Sequence, residues 1–210
     1  MIRPVINEIF PSTGILIRNK YVDLFRRDYF INKIYQSGIK NIEIGPYNEH
    51  IIEGLTTEIS LNNKCIIYPI NTNKNVNDSI DTFNKYRESK EGVFSKIILQ
   101  GNNYKEIPYI YFNTIPDCIE VSRINNIILN TVEKSSKLSL RPYGKDCLKE
   151  IDKALIENIY KFSSSLVSYQ EHVNTIDLIK YLNSKLWVEL TINMSSLKEA
   201  QKEIHDDFNW

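Results

Sequence analysis

The chain has 210 residues, 42% hydrophobic and 25% charged, which suits one globular domain with a full core, or one domain with a small appendage. Its 26 basic and 26 acidic side chains cancel, so bulk charge does not favour a grip on long nucleic acid. Cys65, Cys118 and Cys147 lie far apart and without CxxC spacing, which argues against a disulfide framework or a zinc site and for reduced thiols in a cytoplasmic protein.

The N-terminus lacks the apolar stretch of a signal peptide, and no apolar run is long enough to span a bilayer. The abundance of Asn, Ile and Lys reads as AT-rich coding rather than chemistry.

In chain order, PVINEIFPSTGILIRNKYV is mixed apolar and polar and reads as a small hairpin or an irregular lead-in. DLFRRDYFINKIYQSG has helical spacing, with Leu24, Phe25, Phe30, Ile31 and Ile34 on one face and Gly38 as C-cap glycine. KNIEIG is a short strand. NEHIIEGLTTEISLNN is the next helix, capped by Asn48. KCIIYPI is an apolar, β-branched run, as in a strand buried on both faces. Residues Asp78 to Arg87 form a helix, SKIILQGN a strand and IPYIYFNTIP another.

CIEVSRINNIILNTVEKSS begins strand-like and turns to helical spacing, and KLSLRPYG is a short strand. DCLKEIDKALIENIYKF is the clearest helix, with Asp146 and Glu150 as a loose capping box and Leu148, Ile151, Leu155, Ile159 and Phe162 as its stripe. LVSYQEHV and LWVELTINM are strand candidates around a helical piece at Ile176 to Leu182. Ser196 and Glu199 form a capping box for a last helix.

Alternation of strands and helices predicts an α/β fold, here a doubly wound, mostly parallel seven-stranded sheet with an antiparallel C-terminal strand. Residues 1–37 are the helical lead-in and residues 38–210 a Rossmann-like domain. A closed barrel is the rival closure. It places its site at the strand carboxyl ends too, but usually needs about 250 residues. The strand ends Glu43-Ile44-Gly45-Pro46, Pro69-Ile70-Asn71, Gln100-Gly101-Asn102, Asn113-Thr114-Ile115-Pro116 and Arg141-Pro142-Tyr143-Gly144 are therefore where a ligand would sit. Each is also what any strand needs on leaving the core.

Ile42-Glu43-Ile44-Gly45-Pro46 resembles the first strand and turn of class I S-adenosylmethionine-dependent methyltransferases. Gln100-Gly101-Asn102, before Pro108, is similar to that family's third strand end, and Phe112-Asn113-Thr114 to its fourth. The resemblance covers roughly residues 24 to 194, mainly as order and spacing. It implies a Rossmann-like transferase that binds S-adenosylmethionine through Glu43, Gly45, Asn71, Asn102 and Asn113. Methyl transfer relies on alignment and desolvation, and a hydroxyl acceptor also needs a base, for which His172 and Glu120 are the candidates. The implied acceptor is a small molecule or sugar.

Other readings stay open. GIKNIEIG also resembles the second strand of several metal-dependent aldolase and isomerase barrels, although His50, His172 and His205 have no HxH or HxxxH spacing. Pro116-Asp117 prompts a nuclease reading, but Glu120-Val121-Ser122 lacks the lysine that such a site needs. With 13 Tyr and 8 Phe, a non-catalytic binding or assembly protein on an α/β scaffold is the fourth reading, and a homo-oligomer fits it.

Overall fold

The computed structural model describes residues 1–10, 24–43, 65–70, 93–99, 118–124, 138–167 and 171–208. Within them run strands β1 (Val5–Glu8), β2 (Asn41–Glu43), β3 (Cys65–Ile70), β4 (Val93–Leu99), β5 (Cys118–Val121), β6 (Leu138–Leu140) and β7 (Lys161–Ser164). The helices are α1 (Leu24–Gln36), α2 (Cys147–Ile156), α3 (Thr175–Asn183) and α4 (Met194–Phe208).

Every strand is parallel to its sequence neighbour, and β1 closes the ring by pairing with both β2 and β7. The sheet is thus a closed barrel in the order β1 to β7, without the reversal of strand order that an open doubly wound sheet requires. This corrects the expected fold. The closing strand lies in the segment read as a hairpin or helical lead-in, where Val5 to Glu8 pair with Lys161 to Ser164. Sequence periodicity misses it because only four residues are paired and Asn7 and Glu8 are polar.

Cβ directions alternate along a strand, so each strand has an inward and an outward set. Ile6, Ile42, Ile119, Val121, Leu138, Leu140 and Phe162 are buried and belong to one apolar cluster with the helices. Alternate residues meet inside the ring. Asn41 Nδ2 donates to Asn7 Oδ1 (3.2 Å), Asn7 Nδ2 to Ser163 Oγ (3.4 Å) and Cys118 Sγ to Ser139 Oγ (3.2 Å). The layered interior of such barrels is usually aliphatic. On β1, β2, β5, β6 and β7 it is polar here.

Phe30, Ile31 and Ile34 of α1 and Leu197, Ala200 and Ile204 of α4 are buried where the two helices pack. Their three- and four-residue spacing gives each helix one apolar face. Gly38 ends the α1 segment with a φ of 106°, and a Cβ there would stand 2.8 Å from the Thr191 carbonyl oxygen. Its role as the terminating glycine rests on both facts.

Helix α2 stops at Ile156 because Asn158 adopts a φ of 62°, a conformation Asn tolerates better than most residues. The expected stripe is therefore split. Ile151 and Leu155 stay on the helix, Leu148 is exposed, and Phe162 belongs to β7.

The expected caps also change. Asp146 makes no side-chain cap bond, and the Glu150 carboxylate accepts from Ile124 N (3.1 Å) and Lys153 Nζ (2.9 Å). At α4, Asn193 Oδ1 accepts from Ser195 N and Ser196 N, so Asn193 caps in place of Ser196. The expected closing strand pair is absent among the described residues. Leu166 and Val167 only follow β7, and Leu186 to Ile192 contribute one parallel bridge, Ile2 to Val188. The expected helices at 48–63 and 78–87 and the strand at 107–116 lie outside the described residues.

Candidate functional site at the strand carboxyl ends

Glu43 is the last residue of β2, and Arg141 directly follows β6. The two strands are not neighbours in the ring, so contact between these side chains runs through the barrel interior. Arg141 Nη2 lies 3.2 Å and 3.3 Å from the two carboxylate oxygens of Glu43, and Arg141 Nε donates to Glu120 Oε1 at 2.5 Å. Ser163 Oγ of β7 donates to Glu120 Oε2. All four residues are buried.

Buried charges persist when they are paired and hydrogen-bonded. Desolvation pulls the Arg141 pKa down, but Glu120 and Glu43 outweigh it and the guanidinium is held above its ordinary range. Formally the cluster carries two negative charges and one positive.

His172 is at the rim. It forms an antiparallel bridge with Tyr143, two residues past Arg141, and the two rings meet edge to face with centroids 5.3 Å apart. Its Nδ1 is buried and has no hydrogen-bond partner among the described residues. Burial, assisted by the charge of Arg141, pushes its pKa down to about 4, against an opposing pull from Glu120 and Glu43. The imidazole is thus neutral near pH 7, and Nδ1 keeps hydrogen-bonding capacity that no described residue uses.

Glu8 ends β1 but faces away from the lumen. Its Oε1 accepts from Phe10 N (2.9 Å) and Leu166 N (2.8 Å), and Oε2 bonds Thr175 Oγ1 (2.6 Å) at the start of α3. Burial raises its pKa to about 7, beyond the lowering from Thr175, Leu166 and Phe10. This carboxyl fastens β1, the segment after β7 and α3 to one another. It makes no bond to the cluster inside the barrel.

Of the residues singled out from sequence, Glu43 and Glu120 are brought together by Arg141, and His172 stands within their electrostatic reach. Gly45, Asn71, Asn102 and Asn113 lie outside the described residues. Sequence reasoning missed Arg141, Ser163 and Glu8. Arg141 was visible in the strand end Arg141-Pro142-Tyr143-Gly144, but its partners are set by ring closure. Ser163 was hidden by the apparent continuation of α2. Glu8 was hidden in the segment taken for a lead-in.

The metal-dependent barrels that GIKNIEIG resembles imply a divalent ion at this end of the sheet. The described donors do not fit one. No three His, Cys, Asp or Glu side chains among them converge on a point, and the carboxylates of Glu43 and Glu120 are both engaged by Arg141. Among the described residues no helix is long and apolar enough to cross a membrane.

No protein-family model and no curated protein matches the sequence. Solved structures do match the fold. The hydroxymethylglutaryl-CoA lyase of Pseudomonas aeruginosa superposes with a TM-score of 0.73 at 12% identity, over 99% of this chain and 94% of that one. An HMG-CoA lyase from Acinetobacter baumannii, in complex with coenzyme A and 3-methylmalate, gives 0.69 at 13% identity over 97% and 90%. The HMG-CoA lyase of Brucella melitensis gives 0.70 at 10% over 98% and 99%.

These likenesses, with the closed ring of parallel strands, overturn the methyltransferase reading and its S-adenosylmethionine cofactor. Both had rested on an open Rossmann-like sheet. The short acid-glycine strand end arises equally in a barrel, because both architectures run strands out of the core at their carboxyl ends.

Proposed function

We propose that the protein is a barrel-type metabolic enzyme that binds a small, oxygen-bearing substrate at the carboxyl-end mouth of the sheet. Carbon–carbon lyase chemistry, which names its structural neighbours, is the first reaction class to test. The observation that carries this reading is the buried Glu43–Arg141–Glu120 cluster beside the Nδ1 of His172, which has no partner among the described residues. Structural ion pairs alone leave no buried polar atom over, and unused hydrogen-bonding capacity at a strand carboxyl end is what a ligand group would complete.

The residues divide the work by chemistry. His172, neutral, accepts a hydrogen bond from a substrate hydroxyl. Arg141 supplies positive charge where an oxygen gains negative charge, and its rigid anchoring by two carboxylates means that it need not reorganise. Ser163 holds Glu120, and Tyr143 holds the His172 ring by its edge contact.

Thermal unfolding with 3-methylmalate, coenzyme A and hydroxymethylglutaryl-CoA, followed by a product assay on any ligand that stabilises, tests the reading. A native-state ligand raises the midpoint. A rise with a hydroxy acid or its thioester that shrinks in His172→Phe is expected. Absence of any shift at millimolar concentration with all three overturns it.

A further inference from the structure

One buried carboxyl holds both arms of the rim segment that carries His172. The outgoing arm leaves β7 at Ser165, and the returning arm enters α3 at Asn174. Leu166 N, on the outgoing arm, donates to Glu8 Oε1, and Thr175 Oγ1, on the returning one, lies 2.6 Å from Oε2. The arms also bond each other. Ser165 N donates to Val173 O (3.3 Å), Thr175 N to Ser165 O (3.0 Å) and Asn174 Nδ2 to Leu166 O (3.0 Å). His172 stands next to Val173.

The partners of Glu8 are divided in a way that suits a neutral acid. Oε1 takes two backbone N–H groups, from Phe10 and Leu166, as a carbonyl oxygen can. Among the described residues Oε2 meets only a hydroxyl, which can accept from a carboxylic acid or donate to a carboxylate. Thr175 Oγ1 in turn lies 2.9 Å from Ser164 Oγ, and either can donate there. A proton on Oε2 is therefore donated to Thr175, the Thr175 hydroxyl is donated to Ser164, and none of these bonds is lost.

Ionisation has no such accommodation. The charged group that bears on Glu8 is Glu43 of β2, which is of like sign. On α3, Asp177 is exposed and paired with Lys180, and from α4 the uncharged Gln201 reaches Leu166 O. A buried carboxylate without a cation gains from any movement that brings it water. Here that movement parts Glu8 from Leu166 and Thr175. Burial raises the Glu8 pKa from 4.5 to about 7, against the lowering from Thr175, Leu166 and Phe10. The closed form thus keeps its proton to a higher pH than an open one. Opening becomes easier as pH rises from about 4.5 to about 7, by up to about tenfold per pH unit. His172, freed by the same movement, acts in the opposite sense, because its folded pKa is lowered from 6.5 to about 4.

We infer that Glu8 is a proton-operated latch on the rim segment that carries His172. With its proton the carboxyl holds the two arms shut, and when ionised it lets them part while the barrel stays folded.

Amide hydrogen exchange on the full chain tests the latch, read at Leu166 N and, for unfolding of the whole chain, at Ile34 N in the buried face of α1. Glu8→Gln keeps the acceptor and the donor of the neutral acid and serves as a latch that stays closed. The ratio of Leu166 opening in the native chain to that in Glu8→Gln cancels the effect of His172, which both chains share. It is expected to rise about tenfold or more from pH 5 to pH 7.5. At pH 7.5 native Leu166 is expected to exchange faster than Ile34 and to respond little to urea, because a local opening exposes little surface.

A flat ratio overturns the inference. So does Leu166 exchange that matches Ile34 in rate and urea dependence, since Leu166 then opens only with the whole chain. If Glu8→Gln does not fold, carboxyl-carbon NMR of the native chain takes the place of the ratio. Glu8 is expected to titrate about one pH unit or more above the exposed glutamates, and a midpoint among theirs overturns the latch. These readouts use no ligand, so they are independent of the proposed function.

Discussion

Glu8 and Glu43 end adjacent parallel strands, and in register Glu8 stands opposite Ile42, one residue before Glu43. Both carboxyls are buried, yet their surroundings are opposite. Glu43 points into the ring and meets the guanidinium of Arg141. Glu8 points outward and meets two backbone N–H groups and a hydroxyl, all uncharged. A single residue step along a strand turns a side chain from one face to the other. The comparison shows that inside this barrel carboxylates meet a cation, while outside a carboxyl is used as a fastener.

The largest expected effect breaks the inner arrangement. Arg141→Ala takes from two buried carboxylates the guanidinium that pairs with both, and removing one partner of a buried ion pair costs about 3–5 kcal/mol. Urea unfolding at neutral pH checks it, and a loss below about 1 kcal/mol would show that the cluster is not buried as described.

Next is the outer fastener. Glu8→Ala strips the acceptor from Phe10 N and Leu166 N, and each buried N–H so exposed costs about 1–3 kcal/mol. Hydrogen exchange at those two amides should rise with the loss of stability. Unchanged protection would count against the role given to Glu8.

The third prediction sets the two regions against each other by pH. Glu8 has its folded pKa raised from 4.5 to about 7, so the folded state binds more protons in that window. Its contribution falls as pH rises from about 4.5 to about 7, by at most about 1.4 kcal/mol per pH unit. His172 has its folded pKa lowered from 6.5 to about 4, so its contribution grows as pH rises through that window. In the native chain the two slopes oppose each other. Glu8→Gln should leave stability rising with pH between about 4 and 6.5, and His172→Phe should leave it falling between about 4.5 and 7. Urea midpoints across pH 4–7.5 measure both, and parallel curves for the two variants would refute the assignment.

The smallest effect lies on the outer helices. Arg26 of α1 pairs with Asp207 of α4 at the exposed surface, where ion pairs add little and salt screens them. Arg26→Ala should move the urea midpoint least of the variants, and less still at high salt.

Several elements were legible because their signal is local. The runs KCIIYPI and KLSLRPYG lie where β3 and β6 form, and DLFRRDYFINKIYQSG contains α1 with its glycine stop. Glu43 stood out as a carboxylate on an otherwise apolar strand, Glu120 as a candidate base just after the fourth expected strand, and His172 as one near the end of a late strand. β1 was illegible because its four residues carry no strong period, and β7 because a helical stripe runs numerically through Ile159 and Phe162 across a turn at Asn158. The sequence of alternating elements was also compatible with two closures, and the cofactor expectation followed from the wrong one.

Taken alone, the sequence determined that helices alternate with short parallel-type strands and that polar groups gather where strands leave the core. Hydrophobic period and turn residues act over a few positions and are readable in one dimension. Tertiary structure alone decided that the strands close into a ring and that Arg141 lies between Glu43 and Glu120. It also decided that Glu8 belongs to the outer layer and that His172 Nδ1 has no partner among the described residues. Those facts depend on contacts between residues 156 positions apart, as in the pairing of Val5 with Lys161 and of Glu8 with Ser164, and such contacts exist only once β1 has met β7.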